Sequence, residues 1–327
     1  MTSAERYRLV LAHKEPDRIP MRDDFWGSTT DAWKAEGYPP DGKGVWQYFD
    51  FDGWAGIGAH LWFRDNEKEY EVAIRSKANW EEFKHLYKYC DARVDFNGAL
   101  KTYENCQKND TFLVYGGGAL GFDLWQNRVG IKHFLESMLD DPEWIKELFM
   151  ANVDLNIAVV EEITAKGVQF DAAMFYDDLG YKTGPFFSLK MYREQLFPAH
   201  KKLCDFLHSK KMKIILHSCG GIRPLMPMLI EAGFDCFEPL EVKAGMDLVE
   251  LKKSFGDVIS FMGGIDVRAM AHPDPKVIEE EMATKLPVAV KGGGYIFHSD
   301  HSVPHNVSFK QYEHTIELAK KYGTYKK

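Results

Sequence analysis

His217 and Cys219 are the two residues of this chain whose types and spacing most readily do chemistry. They follow the apolar run Lys213-Ile214-Ile215-Leu216, which reads as a buried strand, and they precede the turn signal Gly220-Gly221. Side chains alternate along an extended chain, so imidazole and thiol fall on one side and can converge on one point. A borderline nitrogen and a soft sulfur offered together are ligands suited to zinc. An isolated His-x-Cys is short, and a buried core cysteine beside a hydrogen-bonded histidine is the competing explanation. The rest of the chain decides between them.

Other strand-like runs also end in groups that ligate, donate or accept. Ala172-Ala173-Met174-Phe175-Tyr176 ends in Asp177-Asp178, and Tyr295 leads to His298, Asp300 and His301. Glu238 interrupts Cys236-Phe237-Glu238-Pro239-Leu240, where a carboxylate is costly unless paired or metal-bound. Asp266 and Asp300 read equally well as helix caps. Phe25 and Trp26 near the first run, Trp125, Tyr176 and Tyr181 could line an aromatic substrate pocket, or could be ordinary core aromatics in a chain with 14% aromatic content. Asp178 is placed to hold a neighbouring histidine or a substrate hydroxyl. Gly116-Gly117-Gly118 lacks the Gly-Lys-Ser/Thr that a phosphate loop requires.

The elements that would position these groups alternate strictly. Strand-like runs at Arg18–Met21, Phe112–Tyr115 and Ala172–Tyr176, and near Ile214, Cys236, Val258 and Tyr295, are separated by helical patterns. The helices are expected at about 141–166, 191–209, 223–232, 248–255, 275–285 and 309–322, with one more near 4–12 at the start. This alternation predicts an α/β fold, a (β/α)8 TIM barrel with an N-terminal helical extension and a small hairpin inserted over Leu61 to Ser76. Catalytic groups of such a barrel gather at the C-terminal ends of the strands. Residues 1–327 are expected to form one catalytic domain.

Composition narrows the function further. The net charge is −8 with no basic block, which argues against nucleic acid and anionic membrane as partners. The hydrophobic content of 45% is globular, and no apolar run reaches membrane-spanning length. The opening Met1-Thr2-Ser3-Ala4-Glu5-Arg6 lacks the layout of a signal peptide. Five cysteines without a Cys-x-x-Cys pair suit reduced thiols in a cytoplasm. The oligomeric state stays open, with a homodimer among the options.

Asp177-Asp178-Leu179-Gly180, Tyr192-Arg193-Glu194, Pro198, His217-Ser218-Cys219-Gly220-Gly221, Glu238-Pro239-Leu240-Glu241, Gly245-Met246-Asp247, Gly263-Gly264-Ile265-Asp266 and Gly293-Gly294-Tyr295 together resemble the uroporphyrinogen decarboxylase superfamily. Glu15-Pro16-Asp17-Arg18-Ile19-Pro20 is similar to that family's lead into its first strand, while the likeness between Arg22 and Phe170 is thin. The resemblance implies the α/β barrel again, and it holds two chemistries. True decarboxylases carry an Arg-rich stretch after the first strand for the porphyrinogen carboxylates. Here that stretch reads Met21-Arg22-Asp23-Asp24-Phe25-Trp26-Gly27, and two acids would repel such a substrate.

The other branch consists of zinc methyltransferases that exchange a methyl group with a corrinoid protein. Their signature, His-x-Cys followed by a late ligand, implies that His217, Cys219 and His301 bind the metal, with Glu238 or Glu241 as the fourth ligand. Glu238 is favoured because it lies nearest the strand end. Thiol-methylating members of the branch place a second cysteine at the position of His301. Imidazole there leaves zinc a stronger Lewis acid, which suits an oxygen leaving group. The expected activity is transfer of a methyl group from a small aromatic methyl ether to the cob(I)alamin of a partner corrinoid protein. Asp178 and Glu238 would be catalytic, and Phe25, Trp26, Tyr176 and Asp178 would contact the substrate. The alternatives are a decarboxylase of another acid, a methyltransferase with a different methyl donor or acceptor, and a non-catalytic barrel that binds a tetrapyrrole or corrinoid.

Overall fold

The computed structural model describes residues 1–38 and 44–325. Seven strands, Ala55–Gly58, Leu113–Ala119, Ala172–Tyr176, Lys213–His217, Cys236–Glu238, Ser260–Met262 and Tyr295–Ile296, follow one another in chain order around a single sheet. Every adjacent pair is parallel. The ring is completed by Ile19-Pro20-Met21, which lies between the last strand and the first. On one side Phe297 N–H donates to the Pro20 carbonyl at 2.9 Å and Arg22 N–H to the Phe297 carbonyl at 3.1 Å. On the other, Asp52 N–H donates to the Met21 carbonyl at 2.7 Å. The molecule is a TIM barrel. Its eighth stave is irregular because Pro20 has no N–H to give to a ladder.

The strand Ala55–Gly58 is the one the sequence does not announce. Its residues are Ala-Gly-Ile-Gly, with a single β-branched side chain, so neither propensity nor alternation marks it. Gly58 makes a close approach to its neighbour, because a Cβ there would come within 3.3 Å of the Gly116 carbonyl. The glycine run at 116–118 belongs to the next strand and serves packing: a Cβ on Gly117 would sit 1.9 Å from the Phe175 ring. The stretch expected as a hairpin over 61–76 is reduced to a tight turn with one antiparallel bridge, Arg64 to Glu69. The Asp65 carboxylate accepts from the N–H groups of Glu67 and Lys68, and Asp65 N–H donates to the Lys68 carbonyl, which together close that turn.

Helices cover the outside of the ring. Pro142–Ala165 begins with Asp141 as N-cap and Pro142 in the first turn, and Leu248–Phe255 has the limits its periodicity predicts. The helical stretch from Leu189 to Ser209 contains one π turn, Tyr192–Leu196, just before Pro198, whose missing N–H interrupts the regular ladder.

Two cores result from strand alternation. Ile214 and Leu216 join the large cluster between sheet and helices, whereas Ile215 joins Val114, Met174, Met262 and Ile296 inside the barrel. Helix Ser3–Val10 contributes Ala4, Tyr7 and Val10 to that inner cluster and so plugs the N-terminal end of the barrel. The plug is tied to the ring through buried Asp52. Arg6 Nη1 donates to its Oδ1 at 3.0 Å, Ser3 Oγ to the same oxygen at 2.9 Å and Met21 N–H to Oδ2 at 2.9 Å, while Arg18 also pairs with it. Removing one partner of a buried ion pair leaves uncompensated charge. Asp52→Ala is therefore expected to lower unfolding free energy by about 3 kcal/mol in urea titrations; a change below about 0.5 kcal/mol would refute this role for Asp52.

Candidate functional site at the barrel mouth

In the sheet register Tyr176 lies beside His217, and His217 beside Glu238, so three adjacent strands end level with one another. His217 has the same parity as Ile215 and turns toward the barrel axis. Beyond it the chain bends at Gly220, with φ of +86°, where a Cβ would meet the Gly180 carbonyl oxygen at 2.2 Å. Only glycine fits that approach, and it holds Cys219 over the mouth.

Asp178, His217 and Cys219 form a compact group whose ligand atoms all lie within 4.8 Å of one another. Cys219 Sγ is 3.6 Å from His217 Nε2, and Asp178 Oδ1 is 3.6 Å from the same nitrogen. Asp178 Oδ1 also accepts the Cys219 N–H at 2.8 Å, so it fixes the loop that carries the thiol. Glu238 contacts the opposite side of the ring, with Oε2 at 2.5 Å from His217 Nδ1. Carboxylate at Nδ1 and an imidazole Nε2 free to face a sulfur is the arrangement that orients a histidine for a metal. One thiol, one imidazole and one carboxylate oxygen within reach of one point fit a zinc ion.

The electrostatics follow from burial and neighbours. Burial opposes charge on His217, yet Glu238 and Cys219 outweigh it and push the ring up to about 11. Burial works against the Glu238 carboxylate as well, but His217 holds it below the usual carboxylate range. Burial raises the Cys219 thiol.

The remaining residues singled out in the sequence divide sharply. His301 lines the same pocket but stands outside the compact group, stacked on Trp26 at 5.9 Å between ring centroids. Trp26 and Tyr176 are both about half exposed on the pocket wall, and Tyr176 lies 4.9 Å from the His217 ring. Phe25 packs instead against Trp33 and Tyr312. Trp125 is fully buried and donates to the Leu148 carbonyl, which makes it a core residue. Tyr181 is exposed on the short hairpin of Gly180–Tyr181 and Gly184–Pro185.

Glu241 braces the loop by accepting the Gly220 N–H and pairing with Lys243. Asp266 caps helix Val267–Met270, and Asp300 accepts the N–H groups of Val242 and Val267. Asp177 points away from the mouth into a buried chain with His200 and Tyr192, where burial pushes it up to about 6.

The pocket has a volume of about 250 Å³. A larger cleft of about 640 Å³ runs outside the barrel past Trp80, Lys84 and Met150, away from the compact group. The mouth pocket also contains Asp24, Pro239 and Ser302. Beneath it His298 is almost fully buried among Asp23, Asp24 and Glu238, at 3.5 to 3.8 Å. Sequence reading treated Asp23 and Asp24 only as charges hostile to a porphyrinogen. Their meeting with His298 depends on the first and last staves closing the ring, which no local pattern encodes.

A parallel barrel with His, Cys and Asp converging at its C-terminal mouth defines a metal-fitted α/β-barrel site of the enzyme type. Residues 56–322 match the family described as uroporphyrinogen decarboxylase (URO-D), and the chain belongs to that family. Over 141 residues it is 26% identical to a methylated-thiol–coenzyme M methyltransferase of Methanosarcina mazei, which covers 42% of this chain and 35% of that protein. The match thus spans about a third of the relative's length. A solved structure of a methyltransferase from Methanosarcina mazei superposes with a TM-score of 0.64 at 13% identity, covering 98% of this chain and 99% of that one. That likeness is one of fold.

Metal binding provides the direct check on this geometry. Cys219→Ala should lose zinc measured by elemental analysis while the thermal melt of the metal-free protein stays unchanged. Glu238→Gln should weaken zinc about ten- to a hundred-fold in chelator competition, through the orientation of His217. Stoichiometric zinc in Cys219→Ala, or unchanged affinity in Glu238→Gln, would contradict these assignments.

Proposed function

We propose that this protein is a zinc-dependent methyltransferase that moves a methyl group from a small aromatic methyl ether to the cob(I)alamin of a partner corrinoid protein. The observation that carries this reading is the Asp178-His217-Cys219 group set in a pocket walled by Trp26 and Tyr176. Membership of the uroporphyrinogen decarboxylase family and similarity to methyltransferases support it. Among the lining residues are three carboxylates, Asp24, Asp178 and Glu238, and no lysine or arginine, which opposes a substrate with several carboxylates of its own.

His217 Nε2 and Cys219 Sγ would hold the metal, with Asp178 as third ligand and His301 brought in from the rim. Glu238 would sit behind His217, accepting the Nδ1 proton and keeping Nε2 directed at the mouth. Zinc bound there would supply a Lewis acid for the ether oxygen. Trp26 and Tyr176 would hold the planar ring and exclude water from the reacting bond. In the transfer the methyl–oxygen bond breaks, the phenolate leaves with its electron pair, and the cobalt–carbon bond forms as Co(I) becomes Co(III). The acceptor provides the nucleophile, so no side chain needs to attack.

The test is a visible-spectrum assay of cob(I) conversion to methyl-cob(III) with a panel of methoxybenzenes and methoxybenzoates. Turnover with release of the free phenol is expected, and His301→Ala should lower both zinc affinity and rate while His305→Ala leaves both near wild type. Turnover only with a methylated thiol or amine would sink the ether assignment and keep the methyltransferase. Carbon dioxide release from an acid, with no methyl transfer, would sink the whole reading.

A further inference from the structure

Behind the mouth, on the helix side of the sheet, runs a chain of buried polar groups that the proposed chemistry does not use. Asp177 and Tyr192 are fully buried and His200 is 1% exposed. His200 Nε2 lies 3.2 Å from Asp177 Oδ2, and the Tyr192 hydroxyl 3.1 Å from His200 Nδ1. The ionised carboxylate can only accept, so Nε2 carries the proton and donates, which leaves Nδ1 to accept from the Tyr192 hydroxyl. The other carboxylate oxygen, Oδ1, accepts the Asp123 N–H at 2.7 Å. None of Asp177, Tyr192 and His200 lines the mouth pocket, so they act on the site only through other groups.

The helix is shaped to make this chain. Tyr192 and His200 are eight residues apart. In an uninterrupted α-helix that spacing would turn them about 80° from one another. The π turn Tyr192–Leu196 takes up one extra residue between them and brings both onto the side that meets Asp177. Phe234 packs edge-on against the His200 ring at 5.3 Å between centroids and backs it on one side.

Asp177 is tied to the metal-fitted group twice. It precedes Asp178, and because side chains alternate, one carboxylate turns to the helices and the next to the mouth. Its N–H also donates to the His217 carbonyl at 2.9 Å. A displaced Asp177 would therefore move the backbone that joins Asp178 to His217, and Asp178 Oδ1 in turn holds the Cys219 N–H. Without His200 the buried carboxylate would keep only the Asp123 N–H, and the chain at 177 would have to shift to satisfy it.

We infer that Tyr192 and His200 are positioning residues that lock Asp177 and, through it, set the Asp178 carboxylate against His217 and Cys219 for the metal. This rests on the zinc reading above, with Asp178 as a ligand, and names the groups that hold that ligand in place.

The test compares His200→Leu, His200→Gln and Tyr192→Phe by zinc affinity in chelator competition, by the visible spectrum of the cobalt(II)-substituted protein and by the thermal melt of the metal-free protein. The Gln amide nitrogen can replace Nε2 as donor to Asp177, whereas Leu fills the space without one. His200→Leu should weaken zinc at least about ten-fold and move the cobalt d–d bands as Asp178→Ala does, with the Cys219 thiolate band retained. His200→Gln should recover affinity to within about three-fold of wild type, and Tyr192→Phe should weaken it about three-fold with the melt unchanged. Wild-type affinity and spectrum in His200→Leu, with only its melt lowered, would overturn the inference, and so would equal losses in the Leu and Gln variants. Should the Leu variant fail to fold, Tyr192→Phe decides: about three-fold weaker zinc upholds the inference and wild-type affinity overturns it. Wild-type zinc affinity in Asp178→Ala would sink the ligand assignment and the inference with it. A loss there, with none in the His200 and Tyr192 variants, would sink the inference alone.

Discussion

The parallel register that sets Tyr176, His217 and Glu238 side by side is the constraint on which the site depends. A parallel ladder admits no gradual adjustment: a slip of one residue would turn His217 outward among Ile214 and Leu216 and bring Leu216 to the axis. The register is held from below, where Ile215, Met174 and Met262 pack against the helix Ser3–Val10 inside the barrel. The Asp52 ion network ties that helix to the closing stave, so the packing that plugs one end of the barrel fixes the chemistry at the other.

Glu238 shows how a single buried carboxylate can serve two purposes. It is 3% exposed and would be expensive without partners, yet one oxygen meets His217 and the other faces His298. Its charge orients the imidazole toward Cys219. The mouth therefore joins a soft, metal-fitted corner to an acidic, hydrogen-bonding one, between aromatic walls.

Much of this was legible in the chain. His217 and Cys219 were readable because alternation along one strand decides which side chains share a face, and strand and helix limits such as Leu248–Phe255 follow from period and capping. The barrel itself followed from strict alternation of elements. The strand Ala55–Gly58 escaped because two of its four residues are glycines, which carry no hydrophobic signal. Trp125 escaped for the opposite reason, since an aromatic residue after a glycine run reads the same whether it lines a pocket or fills a core.

Tertiary structure alone decided how the acids and histidines pair. From sequence, Glu238 was favoured over Glu241 as the fourth metal ligand; in the folded chain Glu238 contacts the far nitrogen of His217, and Glu241 braces the backbone at Gly220. Asp178, read as a supporting group, lies in the compact group itself because it follows the strand next to that of His217. Asp24 and His298 are separated by nearly the whole chain and meet only when the first and last staves close the ring. Local pattern determines which residues can point toward an axis. Which of them touch depends on ring closure and on distances of a few tenths of an ångström, and those are set by packing across the whole barrel.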